Sequence, residues 1–334
     1  MNIERKKKGK KFIYLKNGII IKNDKLLERI KKLVIPPAWK NVKISNSSKD
    51  KIQCIGLDDK NRQQYRYHPD FIKMQTTKKY YKDLIEFWKK INIIRDDIYT
   101  ILDNKKWDIE KTIAFIILIL DKCHLRVGND KYKEENESYG ITTLEKRHVI
   151  IKSNKVSFIF IGKKGVENSC IFTDKYIINL FKSLYKTFQH DDDDTFFKYY
   201  NSKNEIMNIH SYHINDYLKQ FGDFSAKNFR TWAANEYIIQ YLLDSAKEFK
   251  KDELNDLSDR KCTIIINNCI DSVSDKLNNT RAICKKSYIC NDILDDFKNH
   301  RTDFINKLKS LGKSPLKNCN KTESILLKLL KNNK

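Results

Sequence analysis

The sequence predicts an α+β chain, with a small β-rich N-terminal domain over residues 1–77 and a larger, mainly helical domain with a short sheet over residues 78–334. Three observations carry this. Alternating β-prone runs and the hairpin dipeptide Asn17-Gly18 fall in the opening stretch, before His68. From Lys78 onward apolar residues recur at helical spacing instead. That pattern is interrupted by one pair of alternating runs, His148–Ser153 and Val156–Ile161, around Asn154-Lys155.

Composition narrows the class of partner. Lys plus Arg number 66 against 43 Asp plus Glu, a net charge of +23. An AT-rich coding sequence raises Lys, Asn and Ile together but does not by itself leave so many unbalanced cations. The excess favours a polyanion such as nucleic acid, bound with salt sensitivity because phosphate contacts release counterions. The 334 residues, 40% of them apolar, suffice for one large domain or two modest ones. The eight cysteines (54, 123, 170, 262, 269, 284, 290 and 319) include no Cys-x-x-Cys pair, which argues against a zinc ribbon. Met1–Lys11 holds six basic residues and no apolar run of a secretory signal. The longest apolar run, Ile113–Leu120, is far too short to span a bilayer. Free thiols in a reducing intracellular compartment are therefore expected.

Met1–Lys11 reads as a basic arm, equally a solvated, frayed terminus or a contact for phosphates. Phe12–Lys22 (FIYLKNGIIIK) is a hairpin around Asn17-Gly18. Asp24 caps a helix with Leu26, Leu27, Ile30 and Leu33 on one face. It stops at Ile35-Pro36-Pro37-Ala38-Trp39, because proline disfavours helical backbone in the residue before it. Val42–Ser45 and Lys51–Gly56 alternate as strands. In Asp58–Phe71 (DDKNRQQYRYHPDF), a strand puts Gln63, Tyr65 and Tyr67 on one face and Arg62, Gln64 and Arg66 on the other. Ordinary edge-strand packing accounts for it, but a strand facing a nucleic-acid groove is the preferred reading. The polar Gln75-Thr76-Thr77-Lys78 marks the domain boundary.

Tyr80–Leu102 is helical with a break near Ile91–Ile94, and Trp107–Leu125 is the most apolar helix. It ends in His124-Leu125-Arg126-Val127-Gly128, where an arginine leaving a buried helix must find a partner or solvent. The hairpin around Asn154-Lys155 leads into Gly162-Lys163-Lys164-Gly165, an exposed basic tip. Lys175–Phe188 is an amphipathic helix, Asp191–Asp194 a loop, and Ile209–Phe221 a helix ending at Gly222. Phe224–Asn235 (FSAKNFRTWAAN) opens another helix, with Ser225 as its N-cap and Lys227 and Arg230 on one face. Asp252–Leu277 stays helical. Leu277–Ile289 (LNNTRAICKKSYI) starts with the turn or cap residues Asn278, Asn279 and Thr280. It sets Tyr288 near Arg281, Lys285 and Lys286, where a phenol could attack phosphate. Asp292–Leu311 and Thr322–Lys331 are covering helices, and the seven histidines read as structural or surface residues.

Four of these stretches, in order, resemble the type IB DNA topoisomerases of the small poxvirus, giant-virus and bacterial kind. They are Arg126 with the NDKYKEENESYGITTL that follows it, the Gly-Lys-Lys-Gly tip, FSAKNFRTWAAN and Leu277–Ile289. The likeness runs from about Phe12 to the final helix and includes IPPAW and DDKNRQQYRYHPDF. It implies a catalytic domain shared with the tyrosine recombinases, double-stranded DNA as partner, a monomer closing around it, and no membrane. By position, it makes Tyr288 the nucleophile, Arg126 and Arg230 the catalytic guanidiniums, and Lys163 the general acid, with Lys164 the alternative. Asn279 would donate to a non-bridging phosphate oxygen. Arg62, Gln64, Tyr65, Tyr67, Tyr132 and Lys227 match DNA-contacting positions.

The chemistry so implied is relaxation of supercoils through a 3′-phosphotyrosyl bond. No ATP, metal or other cofactor is expected, because the arginines and lysine supply the positive charge. Two positions depart from the pattern. Lys164 stands where the family often has Asp, and Asn279 where poxvirus enzymes have His. An amide donates a hydrogen bond but carries no charge, so the pH dependence near histidine titration should be flatter. A tyrosine site-specific recombinase and a non-catalytic basic DNA-binding protein are the alternatives. The β-rich N-terminal domain and Lys227, where recombinases usually have His, favour the topoisomerase. The two-domain plan and the Lys/Asn/Ile bias favour a large DNA virus as source. Its place would then be a viral factory or virion in host cytoplasm, and otherwise a nucleus or nucleoid.

Overall fold

The computed structural model describes residues 2–9, 11–59, 63–130, 133–134, 137–250, 253–316 and 319–332, the side chains of 71–81, 164 and 332 excepted. The chain divides into two compact units, Met1–Tyr80 and Tyr81–Lys334.

The first unit is an antiparallel sheet of β1 (Ile3–Lys8), β2 (Lys11–Lys16), β3 (Ile19–Ile20), β4 (Lys40–Ile44), β5 (Ile52–Leu57) and β6 (Gln63–Tyr67), in the order β3-β2-β1-β4-β5-β6. The expected hairpin turn is present. Asn17 and Gly18 both have positive φ, 50° and 80°, which matches the twist of the strands they join. Helix α1 (Asp24–Lys32) is capped one residue earlier than expected, by Asn23, whose side chain accepts the Leu26 N–H at 2.9 Å. Ile30 of α1 packs with Ile3, Val42, Ile44 and Cys54 in the core of this unit.

The basic arm is a correction. Residues 3–8 are an interior strand, paired with β2 along its length and with β4 at Ile3 and Glu4. Ile3 is fully buried. Arg5 donates to the carbonyls of Ile35 (3.3 Å), Pro36 (3.1 Å) and Trp39 (2.7 Å) and lies 4.2 Å over the Phe12 ring. Two consecutive prolines offer no N–H, so this loop's carbonyls need a donor from outside, and a guanidinium supplies several at once.

Helix α2 (Pro69–Leu102) is one continuous helix. It begins well before Lys78 and has no break at Ile91–Ile94. Proline at the first helical position loses only an N–H that would go unpaired there, so the helix starts at Pro69. Helix α3 (Ile109–Cys123) is buried without interruption from Lys111 to Leu120. Phe115 meets Phe181 at 4.7 Å and Phe197 at 6.0 Å between centroids, and Phe158 meets Phe181 at 5.2 Å. A helix apolar all round is a core helix, and each large buried side chain on it contributes about 1.5–3 kcal/mol.

Strands β7 (Val149–Ile151), β8 (Val156–Ile161) and β9 (Glu167–Phe172) form a small antiparallel sheet, and α4 (Lys175–Phe188) has the bounds the sequence predicts. The Asp191–Asp194 run is a loop, with a task unforeseen. Lys198, fully buried on β10 (Lys198–Tyr200), donates to Asp191 Oδ1 and to the Asp193 carbonyl. Burial alone would push the Asp193 carboxyl up, but hydrogen bonds from Thr195 and Asn208 and the Lys198 ammonium hold it at about 2. Strand β11 (Ile206–Asn208) pairs with β10. Then come α5 (Ser211–Lys219), α6 (Lys227–Ser245), α7 (Asp259–Lys276), α8 (Arg281–Ser287), α9 (Asn291–Leu311) and α10 (Lys321–Asn332).

The expectation of free thiols fails for one pair. Cys123, the last residue of α3, is bonded to Cys170 on β9, whereas the other six cysteines are free. Among the described residues, no helix is long and apolar enough to cross a membrane, and no group of His, Cys, Asp and Glu could hold a metal ion.

Candidate active site

The site lies wholly in the second unit, where an open pocket of about 270 Å³ is lined by Arg126, Lys163, Lys227, Arg230 and Tyr288, among others. Four separate stretches of chain deliver them, Lys227 and Arg230 from the same one.

Arg126 comes from the segment that leaves α3. His124 closes the helix in the left-handed conformation, φ 53°, and Leu125 is buried. The Arg126 carbonyl accepts from Ile141 N–H at 2.9 Å, and the Val127 carbonyl from Thr142 N–H and Oγ1, both at 2.8 Å. Gly128 has φ +102°, and Gly140 packs directly on it. A Cβ at Gly140 would sit 2.4 Å from Gly128 Cα and 2.8 Å from the Arg126 carbonyl oxygen. Those neighbours are backbone and cannot rotate away. Gly140→Ala should therefore cost about 1–3 kcal/mol, read as a lower midpoint in denaturant unfolding, and should displace Arg126. An unchanged midpoint would show that the segment relaxes freely.

Lys163 opens the one-turn helix Lys163–Gly165 between β8 and β9. The turn closes through Gly162 N–H to the Val166 carbonyl at 2.8 Å and Gly165 N–H to the Gly162 carbonyl at 3.1 Å. Lys163 is exposed at this tip, on the rim of the pocket. The side chain of Lys164 lies outside the described residues.

Arg230 sits in the first turn of α6. Ser225 is not its cap, contrary to expectation. Asn228 instead reaches back to accept from the Ser225 N–H at 2.9 Å and hydroxyl at 3.2 Å. Lys227 is exposed, but Arg230, three residues on, is buried. Its Nη1 donates to the His124 carbonyl and its Nη2 to the Leu277 carbonyl at 2.6 Å. His124 ends α3 and Leu277 ends α7, so the guanidinium satisfies carbonyls at two helix C-termini, where partial negative charge gathers.

Tyr288 follows α8, whose N-cap is Thr280, accepting from Ile283 N–H at 3.4 Å. The ring is buried. Arg126 Nη1 donates to the phenol oxygen at 3.4 Å, the Arg230 guanidinium carbon is 5.3 Å from the ring centroid, and Lys227 Nζ is 5.6 Å from it. Burial pushes the phenol up, but the Arg230 and Arg126 guanidiniums and the Lys227 ammonium outweigh it, leaving the phenol below its ordinary value. Asn279 is held here too. Its Oδ1 accepts from Arg126 Nη2, while Nδ2 is buried with no hydrogen-bond partner.

One residue at this site was missed from the sequence. Asn235 on α6 donates from Nδ2 to the Tyr288 carbonyl at 2.8 Å and accepts at Oδ1 from Cys290 N–H at 2.8 Å. One buried amide so fixes the backbone on both sides of Ile289. It stands at the end of FSAKNFRTWAAN, but nothing in the spacing shows that the segment meets Tyr288.

The structure thus brings Tyr288, Arg126, Lys163, Arg230, Asn279 and Lys227 together. Gln64, Tyr65 and Tyr67 belong to the first unit, on edge strand β6. Tyr65 and Tyr67 share a face, with rings 5.8 Å apart, and are exposed. Gln64 is on the other face and donates to Asp58 at 3.0 Å. Arg62 and Tyr132 lie outside the described residues.

A phenol set on two guanidiniums is suited to phosphoryl chemistry. The family model for the catalytic core of eukaryotic DNA topoisomerase I matches residues 69–313, and that for the N-terminal domain of bacterial DNA topoisomerase IB matches residues 11–58. The chain belongs to the type IB DNA topoisomerases. DNA topoisomerase 1B of Acanthamoeba polyphaga mimivirus is 32% identical to it over 91% of this chain and 89% of the relative. DNA topoisomerase 1 of Rabbit fibroma virus is 24% identical over 77% and 76%, and DNA topoisomerase 1B of Vaccinia virus (strain Copenhagen) 23% over 72% and 71%.

Proposed function

We propose that this chain relaxes supercoiled double-stranded DNA by nicking one strand, allowing rotation and resealing, with no ATP and no metal. The observation that carries the reading is a buried Tyr288 whose phenol is acidified by Arg230 and Arg126 in a pocket edged by Lys163. The phenolate oxygen attacks a backbone phosphorus and the bond to the 5′-oxygen breaks. The strand is left joined to Tyr288 through its 3′-phosphate. Arg126 and Arg230 counter the charge that builds on the phosphoryl oxygens, and the free Asn279 Nδ2 donates to one of them. Lys163 protonates the leaving 5′-oxygen, which would otherwise depart as a poor alkoxide. The phosphotyrosyl bond keeps the energy of the broken bond, so the 5′-hydroxyl can attack it and reseal the strand. Lys227 lies where it can pair with backbone phosphate. The exposed Tyr65 and Tyr67, with Gln64, are suited to a DNA groove.

The test is to incubate the protein with negatively supercoiled plasmid in EDTA without ATP and quench half in detergent. Relaxation with protein trapped on a 3′ end is expected, and binding with neither would leave a basic DNA-binding protein. Relaxation of one plasmid lacking paired target sites separates this reading from a recombinase. The tip position gives a second expectation. Lys163→Ala should slow cleavage on the order of 10²–10⁴-fold. A substrate with sulfur as the 5′ leaving atom should restore the rate, because a thiolate needs no proton to depart. Failure of that rescue would remove Lys163 as the acid.

A further inference from the structure

We infer that His124 is a positioning residue for Arg230, which sets the guanidinium against Tyr288. This rests on the reading of Arg230 as a catalytic residue.

His124 ends α3 at φ 53°, a conformation that suits glycine and costs a side-chain-bearing residue stability. Its N–H closes the helix on the Leu120 carbonyl at 3.0 Å, which glycine would do equally well. Burial drives the imidazole pKa to about 4, so the ring is neutral and brings no charge to the site. A strained helix end that the side chain does nothing to relieve marks a residue held for what its ring reaches elsewhere.

That geometry is a two-point hold on α6. The His124 carbonyl accepts from Arg230 Nη1. The His124 ring reaches Tyr237, two helical turns further along α6, with Nε2 3.1 Å from the phenol oxygen. The two rings meet edge to face, with centroids 5.6 Å apart at 73°. Residues seven apart lie on nearly the same helix face, so both contacts fall on one side of α6. The ring thereby fixes how the end of α3 lies along α6, and this aims the carbonyl that holds Arg230. Arg126 follows two residues later, so the same anchor sets where its segment begins.

The test uses the full chain as His124→Gly, Tyr237→Phe, Arg230→Lys and the His124→Gly/Arg230→Lys pair. Three quantities are measured: the thermal midpoint, non-covalent affinity for a duplex, and the single-turnover rate of adduct formation. His124→Gly should lower the midpoint, because the ring's packing on Tyr237 is lost, and leave affinity within about twofold, yet slow cleavage at least about tenfold, because misaim of a charge-stabilising group is felt in the transition state. Tyr237→Phe, which loses only the hydroxyl, should slow cleavage by about threefold. In the Arg230→Lys background His124→Gly should add less than about twofold, since an ammonium cannot make the same pair of bonds. A purely structural role would slow cleavage independently of residue 230. Cleavage by His124→Gly at the parental rate, or a full slowing that persists beside Lys at 230, would overturn the inference. If His124→Gly does not fold, unchanged cleavage by Tyr237→Phe overturns it. Parental cleavage by Arg230→Lys would instead remove the catalytic reading of Arg230, and the inference with it.

Discussion

Tyr288→Phe should abolish the covalent adduct while leaving DNA binding close to that of the parent. Phenylalanine fills the same buried volume, and Asn235 still holds the backbone, because its bonds are to main-chain atoms. Only the oxygen is lost, and with it an acceptor for Arg126 Nη1 at 3.4 Å. The stability change should be about 1 kcal/mol in either direction. With Tyr288 as the proposed nucleophile, the rate should fall on the order of 10⁴–10⁶-fold, since its loss removes the step itself. A detergent-quenched time course on labelled duplex measures this. Residual adduct within about tenfold of the parent would move the nucleophile to another tyrosine.

Arg230→Ala should have the next largest effect, for two separable reasons. On the proposed mechanism it removes a charge that faces the phosphoryl group, worth on the order of 10²–10³-fold in rate. It also strands the carbonyls of His124 and Leu277, buried acceptors at two helix ends, at about 1–3 kcal/mol apiece. Unfolding and cleavage should therefore both suffer. The pH profile separates the effects. Arg230 is the strongest of the charges that hold the Tyr288 phenol below its ordinary value. Removing it raises the phenol pKa, so the rise of cleavage rate with pH should move to higher pH. A profile that drops in height without moving would show that Arg230 acts on the phosphate alone.

Much of this was legible because it is local chemistry. Asn17-Gly18 needs two positive φ angles and the sequence offers the two residues that accept them most easily. Lys175–Phe188 carries its apolar stripe openly. The four site stretches could be named in order, and the structure draws Arg126, Lys163, Lys227, Arg230 and Tyr288 from them into one pocket. What stayed hidden depends on partners distant in sequence. Residues 3–8 look like a solvated arm because Ile3 alone among them is buried, and the carbonyls that Arg5 bonds lie in a proline loop some thirty residues on. The groups that grip Arg230 are main-chain carbonyls, which every residue has, so no residue type announces them. Asn235 meets Tyr288 across 53 positions. Ser225 looks like a cap, and only the rotamer of Asn228 shows the hydrogen bond running the other way. The Cys123–Cys170 bond joins a helix end to a strand, a pairing that spacing alone does not single out.

The interior position of β1 bears on how the protein is made and handled. During synthesis this strand leaves the ribosome ahead of every neighbour it will have. It can zip onto β2 almost at once, but its other edge must wait for β4, which begins at Lys40. Until then the nascent hairpin presents an unpaired edge bearing Arg5, Lys6, Lys7 and Lys8, whose like charges discourage premature pairing with other chains. Trimming these residues as a dispensable leader would cut the sheet in two, parting β2 and β3 from β4, β5 and β6.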